Sequence, residues 1–174
     1  KRENYLCKHN NILYKGLGVE GYIDIQKVKL CKIENDKEFW KSKKVWLGLD
    51  LSQTDDNTAL AMVTIADGIV YAKVFGFVAV IIYLCAFVTL FKGIVANLFK
   101  SKKEHVDYKR LISNGDCFSC GNEVIDYIFV KNKIVEIENE YCVEIQQIGY
   151  DKWNALATVQ QLEEDGYECV EIKQ

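Results

Sequence analysis

The fold is decided by one stretch of the chain, VWLGLDLSQTDDNTALAMVTIADGIVYAKVFGFV, which covers residues 45–78. Its first part, Val45–Leu51, is a short apolar run broken by one acid, a pattern typical of a buried strand. Thr58–Ala66 and Ile69–Val78 predict two further strands. Between them lies Asp67-Gly68, the strongest hairpin signal in the sequence. Three consecutive strands with tight connections predict that the sheet begins antiparallel.

Two helices and two strands follow after an interruption. Val124–Tyr141 keeps an approximate helical repeat, and Trp153–Asp165 predicts a second helix that Gly166 closes as its C-terminal cap. The predicted fourth and fifth strands are Val143–Gly149 and Tyr167–Lys173. A strand joined through a helix to its neighbour makes a parallel crossover. The order predicts an α/β, ribonuclease-H-like mixed sheet with flanking helices, in which the first three strands are antiparallel and the fourth and fifth parallel.

Two aspartates mark the carboxyl ends of the first and fourth predicted strands, Asp50 and Asp151. Neighbouring parallel strands are about 4.8 Å apart, so we expect these carboxylates to lie close together. Close carboxylates repel each other unless a cation lies between them, and Mg²⁺ or Mn²⁺ suits oxygen ligands. A paired-metal site would clamp the attacking and leaving oxygens of a phosphodiester. The alternative interpretation makes Asp50 a turn former and Asp151 the N-cap of the helix from Trp153.

The composition of the whole chain is that of a globular domain. It has 174 residues, a formal net charge of −3 and 49% apolar residues, which fits one domain or one domain with an arm. With 27% charged residues interleaved among apolar ones, the chain is neither disordered nor fibrous. The absence of proline excludes a proline-rich linker or PxxP ligand. Mild acidity does not exclude nucleic-acid binding, because local patches decide it.

The seven cysteines are spaced too irregularly for a disulfide framework. Their odd number, together with the absence of a secretory signal, favours a reducing compartment. Cys117 and Cys120 form a single C-x-x-C motif. A structural zinc needs four ligands and no second pair has the right spacing, so we expect two small strand or turn residues. No paired His and acid supports Cys-based nucleophilic catalysis.

Two weaker patterns are assigned structural roles. Residues 16–21 match G-x-G-x-x-G, but a strand-like alternation follows where a dinucleotide site needs a helix, so we expect a flexible turn. We expect the aromatic side chains of Trp46, Tyr71, Phe75 and Trp153 to lie in the core rather than to form base-stacking platforms.

A long apolar run follows the third predicted strand. Val74–Phe91 has no charged residue, and apolar sequence continues to Phe99 before a lysine cluster. Such a length suits a bilayer, with the trailing lysines on the cytoplasmic side. However, the first five residues also belong to the predicted strand, so a membrane span would start inside the sheet. We therefore favour an insert at residues 79–101, and membrane attachment through residues 74–99 is the alternative.

Several ordered motifs resemble the nuclease domain of bacteriophage terminase large subunits. Residues 46–59 resemble the family's opening strand, and residues 148–155 resemble its second acidic motif. Between them, residues 107–127 follow the family pattern. The arm at residues 5–40 is similar to the segment that links the packaging ATPase to the nuclease. The likeness covers most of the chain except roughly residues 79–101.

The resemblance implies a metal-dependent endonuclease that cuts concatemeric viral DNA during genome packaging in the bacterial cytoplasm. Asp50 and Asp151 would be the catalytic residues and the ligands of Mg²⁺ or Mn²⁺ in a two-metal site, and Asp56 would have a supporting role. The implied partners are double-stranded DNA, the small terminase subunit and the portal. A basic cluster is predicted to contact DNA, and a solvated surface without a partner is the alternative interpretation. Its members are Lys102, Lys103, Lys109 and Arg110.

The sequence also departs from the family pattern. We expect residues 1–44 to be a linker or arm from a missing ATPase domain and residues 45–174 to be a partial nuclease domain. No G-x-x-x-x-G-K-[ST] occurs, so no nucleotide cofactor is expected. The sequence ends at Gln174, before the helix that supplies the family's third acidic ligand, and we expect that helix to be missing and activity to be impaired. Glu163, Glu164 and Asp165 lie at the far end of the helix after Asp151 and are no substitute.

Two alternatives from other functional classes remain open at this stage. One is a non-catalytic remnant or interaction protein, anchored to a membrane through residues 74–99. The other is a module that binds DNA without cleaving it, for which salt-dependent binding without nicking would be the signature.

Overall fold

A computed structural model describes most of the chain in two compact units, Lys1–Asp36 and Lys37–Gln174. The described residues are 25–32, 37–53, 57–79, 104, 106–121, 124–152 and 154–173. In the first unit they form one short exposed helix, α1 (Ile25–Leu30). The second unit contains the sheet.

The described part of the second unit is built on a six-stranded mixed sheet in the order β4-β3-β2-β1-β5-β6. The strands are β1 (Lys44–Asp50), β2 (Thr58–Ala66), β3 (Ile69–Val78), β4 (Cys117–Ser119), β5 (Glu144–Tyr150) and β6 (Cys169–Glu171). Strands β1, β2 and β3 pair antiparallel, whereas β5 pairs parallel with both β1 and β6. The predicted α/β mixed sheet is therefore confirmed. The short edge strand β4, parallel to β3, is an addition that the sequence did not predict.

The hairpin between β2 and β3 forms where the sequence predicts it. Asp67 and Gly68 both have positive φ, 52° and 76°, as a type I′ turn requires. The pairing then runs without a shift from Ala66 opposite Ile69 to Thr58 opposite Phe77. This turn sets the register of the antiparallel half of the sheet.

In the described part of the second unit, four helices accompany the sheet: α2 (Lys37–Trp40), α3 (Tyr108–Ser113), α4 (Tyr127–Tyr141) and α5 (Leu156–Glu164). The Asp126 carboxylate caps α4 by accepting from the backbone N–H groups of Ile128 and Phe129. Helix α5 is followed by Gly166, whose φ of 97° and N–H bond to Glu163 O confirm the predicted glycine stop.

The main core lies on one face of the sheet, under α4 and α5. Strand alternation sends every second residue of β1, β2 and β3 to this face. The largest fully buried side chains are Trp40, Phe75, Phe77, Leu60, Met62, Ile134, Ile137, Ile148, Leu162, Val45, Val78 and Val130. All but Val78 belong to this core. The core includes Trp40 of α2, and the compact unit that contains the sheet spans Lys37–Gln174.

The opposite face of the sheet is more open. Trp46 alternates with the buried Val45 and Leu47, and its side chain is 44% exposed on this face. The expectation that Trp46 is a core residue was wrong, whereas Phe75 is buried and Tyr71 packs against the core as expected. A small second cluster covers one edge of this face, where α3 packs on Val78 and Cys117.

The apolar run begins inside the sheet, as expected, because residues 74–78 form the end of β3. Among the described residues, no helix is both long and apolar enough to cross a bilayer. Residues 80–103 lie outside the described residues, and with them most of the predicted insert at 79–101 and of the membrane alternative at 74–99. The G-x-G-x-x-G match at 16–21 and Trp153 also lie outside them.

Candidate active site

The two aspartates lie at the same end of two adjacent parallel strands. After a register shift between Val45 and Trp46, β1 and β5 pair without interruption up to Leu49 opposite Tyr150. The Asp151 N–H then donates to Leu49 O at 3.4 Å. Residues paired across parallel strands point to the same face, so Asp50 and Asp151, which follow this pair, both lie on the face opposite the main core. The structure thus brings together the two acids that the sequence placed on neighbouring strands.

The sheet positions nearest the two acids carry small residues. Gly48 lies opposite Gly149 in β5, and Ala59 of β2 lies opposite Asp50. A Cβ atom on Gly149 would come within 2.6 Å of Ile172 Cδ1, because the Ile172 side chain lies over this glycine. Asp50 is exposed and Asp151 is half-buried. A solvated cation or a phosphate group can therefore reach the pair.

The donor set of this pair fits a hard divalent cation. Mg²⁺ keeps several of its waters and binds proteins through one or two carboxylates together with substrate phosphates. Two carboxylates on one open face meet this requirement. Among the described residues, no group of three or more His, Cys, Asp or Glu side chains could hold a metal ion.

The alternative role of Asp151 as a helix N-cap was wrong. Helix α5 begins at Leu156, and its N-cap position is Ala155, which makes no side-chain capping bond. Asp151 lies four residues before this cap, at the end of β5. The residue therefore belongs to the strand end and not to the helix start.

Helix α3 carries two of the predicted DNA contacts, Lys109 and Arg110, both exposed. It packs on Val78 and Cys117. Cys117 is paired with Gly76, Gly76 with Ala59, and Ala59 with Asp50. Because residues paired across strands point to the same face of a sheet, α3 lies on the face that carries Asp50. Two other predicted DNA contacts, Lys102 and Lys103, and the supporting acid Asp56 lie outside the described residues.

A buried tyrosine that sequence reasoning missed attaches α3 to the start of β2. The Tyr108 hydroxyl donates to the Glu104 carboxylate and accepts from Asn57 Nδ2 at 2.7 Å. Burial, and next the hydrogen bond to Glu104, raise the pKa of Tyr108. Asn57 immediately precedes β2, so this network ties the basic helix to the connection that leaves Asp50. No local pattern predicts such a contact, because Tyr108 and Asn57 are far apart in sequence.

The C-x-x-C motif has a structural role in the described fold. Cys117 lies in β4 and Cys120 follows it, and both are buried. Cys120 Sγ donates to Asp126 O at 3.2 Å, and burial raises the pKa of its thiol to about 11. The thiol therefore stays protonated at neutral pH and is a poor nucleophile or ligand. This confirms the expectation of two small strand or turn residues.

The described part of the chain is thus an α/β domain with a mixed sheet and two aspartates at the ends of adjacent parallel strands. The family model of the terminase large subunit, endonuclease domain, matches residues 1–174. The chain belongs to this family, which confirms the resemblance inferred from the motifs.

A solved structure shows the same fold. The crystal structure of the HK97 bacteriophage large terminase superposes with a TM-score of 0.67 at 21% sequence identity, covering 89% of this chain and 29% of that chain. The chain thus spans less than a third of the length of that terminase. No curated protein matches the sequence.

Proposed function

We propose that this chain is the metal-dependent endonuclease domain of a phage packaging terminase, which hydrolyses phosphodiester bonds of concatemeric viral DNA in the host cytoplasm. The juxtaposition of Asp50 and Asp151 at one end of β1 and β5 carries the proposal, and membership of the terminase family supports it. By family, its partners are double-stranded DNA, the small terminase subunit and the portal.

Asp50 and Asp151 would hold Mg²⁺ or Mn²⁺, the cations that suit two carboxylates on an open face. When bound, such a cation neutralises charge on the phosphodiester and lowers the pKa of a water molecule. The pairing of β1 with β5 fixes the backbone positions from which the two aspartate side chains extend. The small side chains of Gly48 and Ala59 leave room beside them for a DNA backbone.

The proposal is tested by Mn²⁺-dependent nicking of supercoiled plasmid. We expect Asp50→Asn and Asp151→Asn each to lower the rate by about 10²–10³-fold, the size typical of removing one electrostatic group at a reacting centre. Asp67→Asn is the matched control, since Asp67 lies in the exposed hairpin turn between β2 and β3 and asparagine tolerates its positive φ. Equal nicking by the wild type and all three variants would refute the site.

A second candidate function is DNA binding without cleavage. It is favoured by the presence of only two candidate acidic ligands in the described part of the chain, where no group of three occurs. Salt-dependent DNA binding by the wild type without nicking in Mn²⁺ would establish this function instead of the first.

Both functions need a DNA-binding surface, which we place at α3. The double variant Lys109→Ala/Arg110→Ala is expected to weaken binding to a short DNA duplex and to reduce the slope of log K against log salt by up to about 2, since each phosphate contact contributes about 0.9. Fluorescence anisotropy at several salt concentrations measures this slope.

The control for this prediction is Lys41→Ala/Lys44→Ala. It removes the same charge from exposed lysines near the start of β1, the end of the strand away from Asp50. An equal loss of slope in the two double variants would mean that DNA attraction depends on total charge and not on α3.

A further inference from the structure

The connection that leaves Asp50 is fixed at once by its own strand pair. Leu51 is buried, and the Ser52 N–H donates to Thr58 Oγ1 at 3.0 Å. Thr58 is the first residue of β2 and is itself fully buried. The chain therefore closes on β2 within two residues of the aspartate.

The segment that leads into α4 holds the next two carbonyls of this connection. The Tyr127 hydroxyl donates to Ser52 O at 3.0 Å, and the Ile125 N–H donates to Gln53 O at 3.2 Å. Two consecutive carbonyls, two and three residues after Asp50, thus accept hydrogen bonds from one short segment. Such bonds restrict the backbone more than a single contact would, because each fixes a neighbouring peptide plane.

The donor at Tyr127 is itself held firmly in place. Tyr127 is the first residue of α4, directly after the capping residue Asp126, whose carbonyl accepts from Cys120 Sγ at 3.2 Å. Burial raises the pKa of Tyr127, so its hydroxyl keeps the proton that it donates over the whole neutral range. The contact therefore joins a rigid helix end to the strand end of the candidate site.

We propose that Tyr127 is a positioning residue of the aspartate pair. Asp50 is exposed, so side-chain packing does little to orient its carboxylate and the backbone on both sides must do so. Pairing in β1 fixes the preceding side, and the bond from Tyr127 to Ser52 O fixes the following side. The inference rests on the proposed function, because it assigns to Tyr127 the orientation of a metal ligand.

The test compares two tyrosines that each lose one hydroxyl. Tyr127→Phe removes the bond to Ser52 O. Tyr167→Phe is the control, because Tyr167 is also half-buried and donates to Glu138 Oε2 at 2.7 Å. Tyr167 precedes Cys169, the partner of Ile148 in β5, and so lies toward the end of the sheet away from Asp151.

Two measurements are made on the full chain: Mn²⁺ affinity by electron paramagnetic resonance titration, and hydrogen exchange of residues 49–53 without metal. We expect Tyr127→Phe to raise the Kd for Mn²⁺ by about tenfold, the lower end of the range for groups that orient a metal ligand, and to speed exchange in residues 49–53. Tyr167→Phe should change neither quantity.

The inference is overturned if the two variants weaken Mn²⁺ binding equally, or if Tyr127→Phe leaves exchange in residues 49–53 unchanged. It is also overturned if the wild type and Tyr127→Phe bind Mn²⁺ alike. A wild type that binds no Mn²⁺ refutes the proposed metal site, and the inference with it, so the two failures give different results in the same titration.

Discussion

Replacing Trp40 with alanine is expected to lower the free energy of unfolding by about 3–5 kcal/mol, the usual cost of truncating a fully buried tryptophan. Trp40 is 0% exposed and belongs to the main core, and its ring meets that of Phe39 edge-on at 5.3 Å between centroids. A loss of this size removes a large part of the stability of a single domain, which is about 5–15 kcal/mol. Urea unfolding followed by far-ultraviolet circular dichroism measures it.

The matched control is Trp46→Ala, which removes the same side chain from the opposite face of the sheet. Because Trp46 is 44% exposed, its truncation leaves no closed cavity and should cost about 1 kcal/mol. Equal losses in the two variants would contradict the placement of α2 in the core. A large loss for Trp40 alone would show that the folded unit needs residues before Val45.

The burial of Trp40 could not be predicted from the sequence. The strands β1 to β3 were predicted almost to the residue because each has an apolar pattern of its own and the hairpin turn has a specific chemistry. Residues 37–44 have no such period and contain four lysines. Trp40 lies in the core and Phe39 packs against it, with its ring 4.6 Å from that of Tyr71. These are contacts between residues distant in sequence, which no local pattern records.

The candidate site was also predictable only in part. Asp50 and Asp151 could be brought together from sequence because each ends a strand and the crossover rule places those strands side by side. The exposure of Trp46 could also have been predicted from the sequence, because Trp46 alternates along β1 with two buried neighbours. In contrast, β4 has three residues and α3 has six, too few for a period, and Tyr127 reaches Ser52 only because α4 begins where it does.

The start of α4 depends on the turn before it, and Gly121→Ala is expected to cost about 3 kcal/mol or more in unfolding free energy. Gly121 has φ of 77°, and a Cβ atom there would lie 2.0 Å from Val124 O and 3.1 Å from Asp126 N. These are backbone atoms, so the segment from Val124 to Asp126 would have to move. That segment includes Ile125, which bonds Gln53 O, so the variant should also speed hydrogen exchange after Asp50.

Gly115→Ala separates backbone strain from this clash. Gly115 has nearly the same φ, 75°, but nothing lies within 4 Å of its Cβ position. Alanine there should cost only the left-handed conformation, about 1–2 kcal/mol, and should leave exchange in residues 49–53 unchanged. Urea unfolding of both variants gives the difference between them, which is the cost of displacing the segment that leads into α4. If Gly121→Ala cost no more than Gly115→Ala, the turn would be adaptable and the start of α4 could not hold the connection after Asp50 in one position.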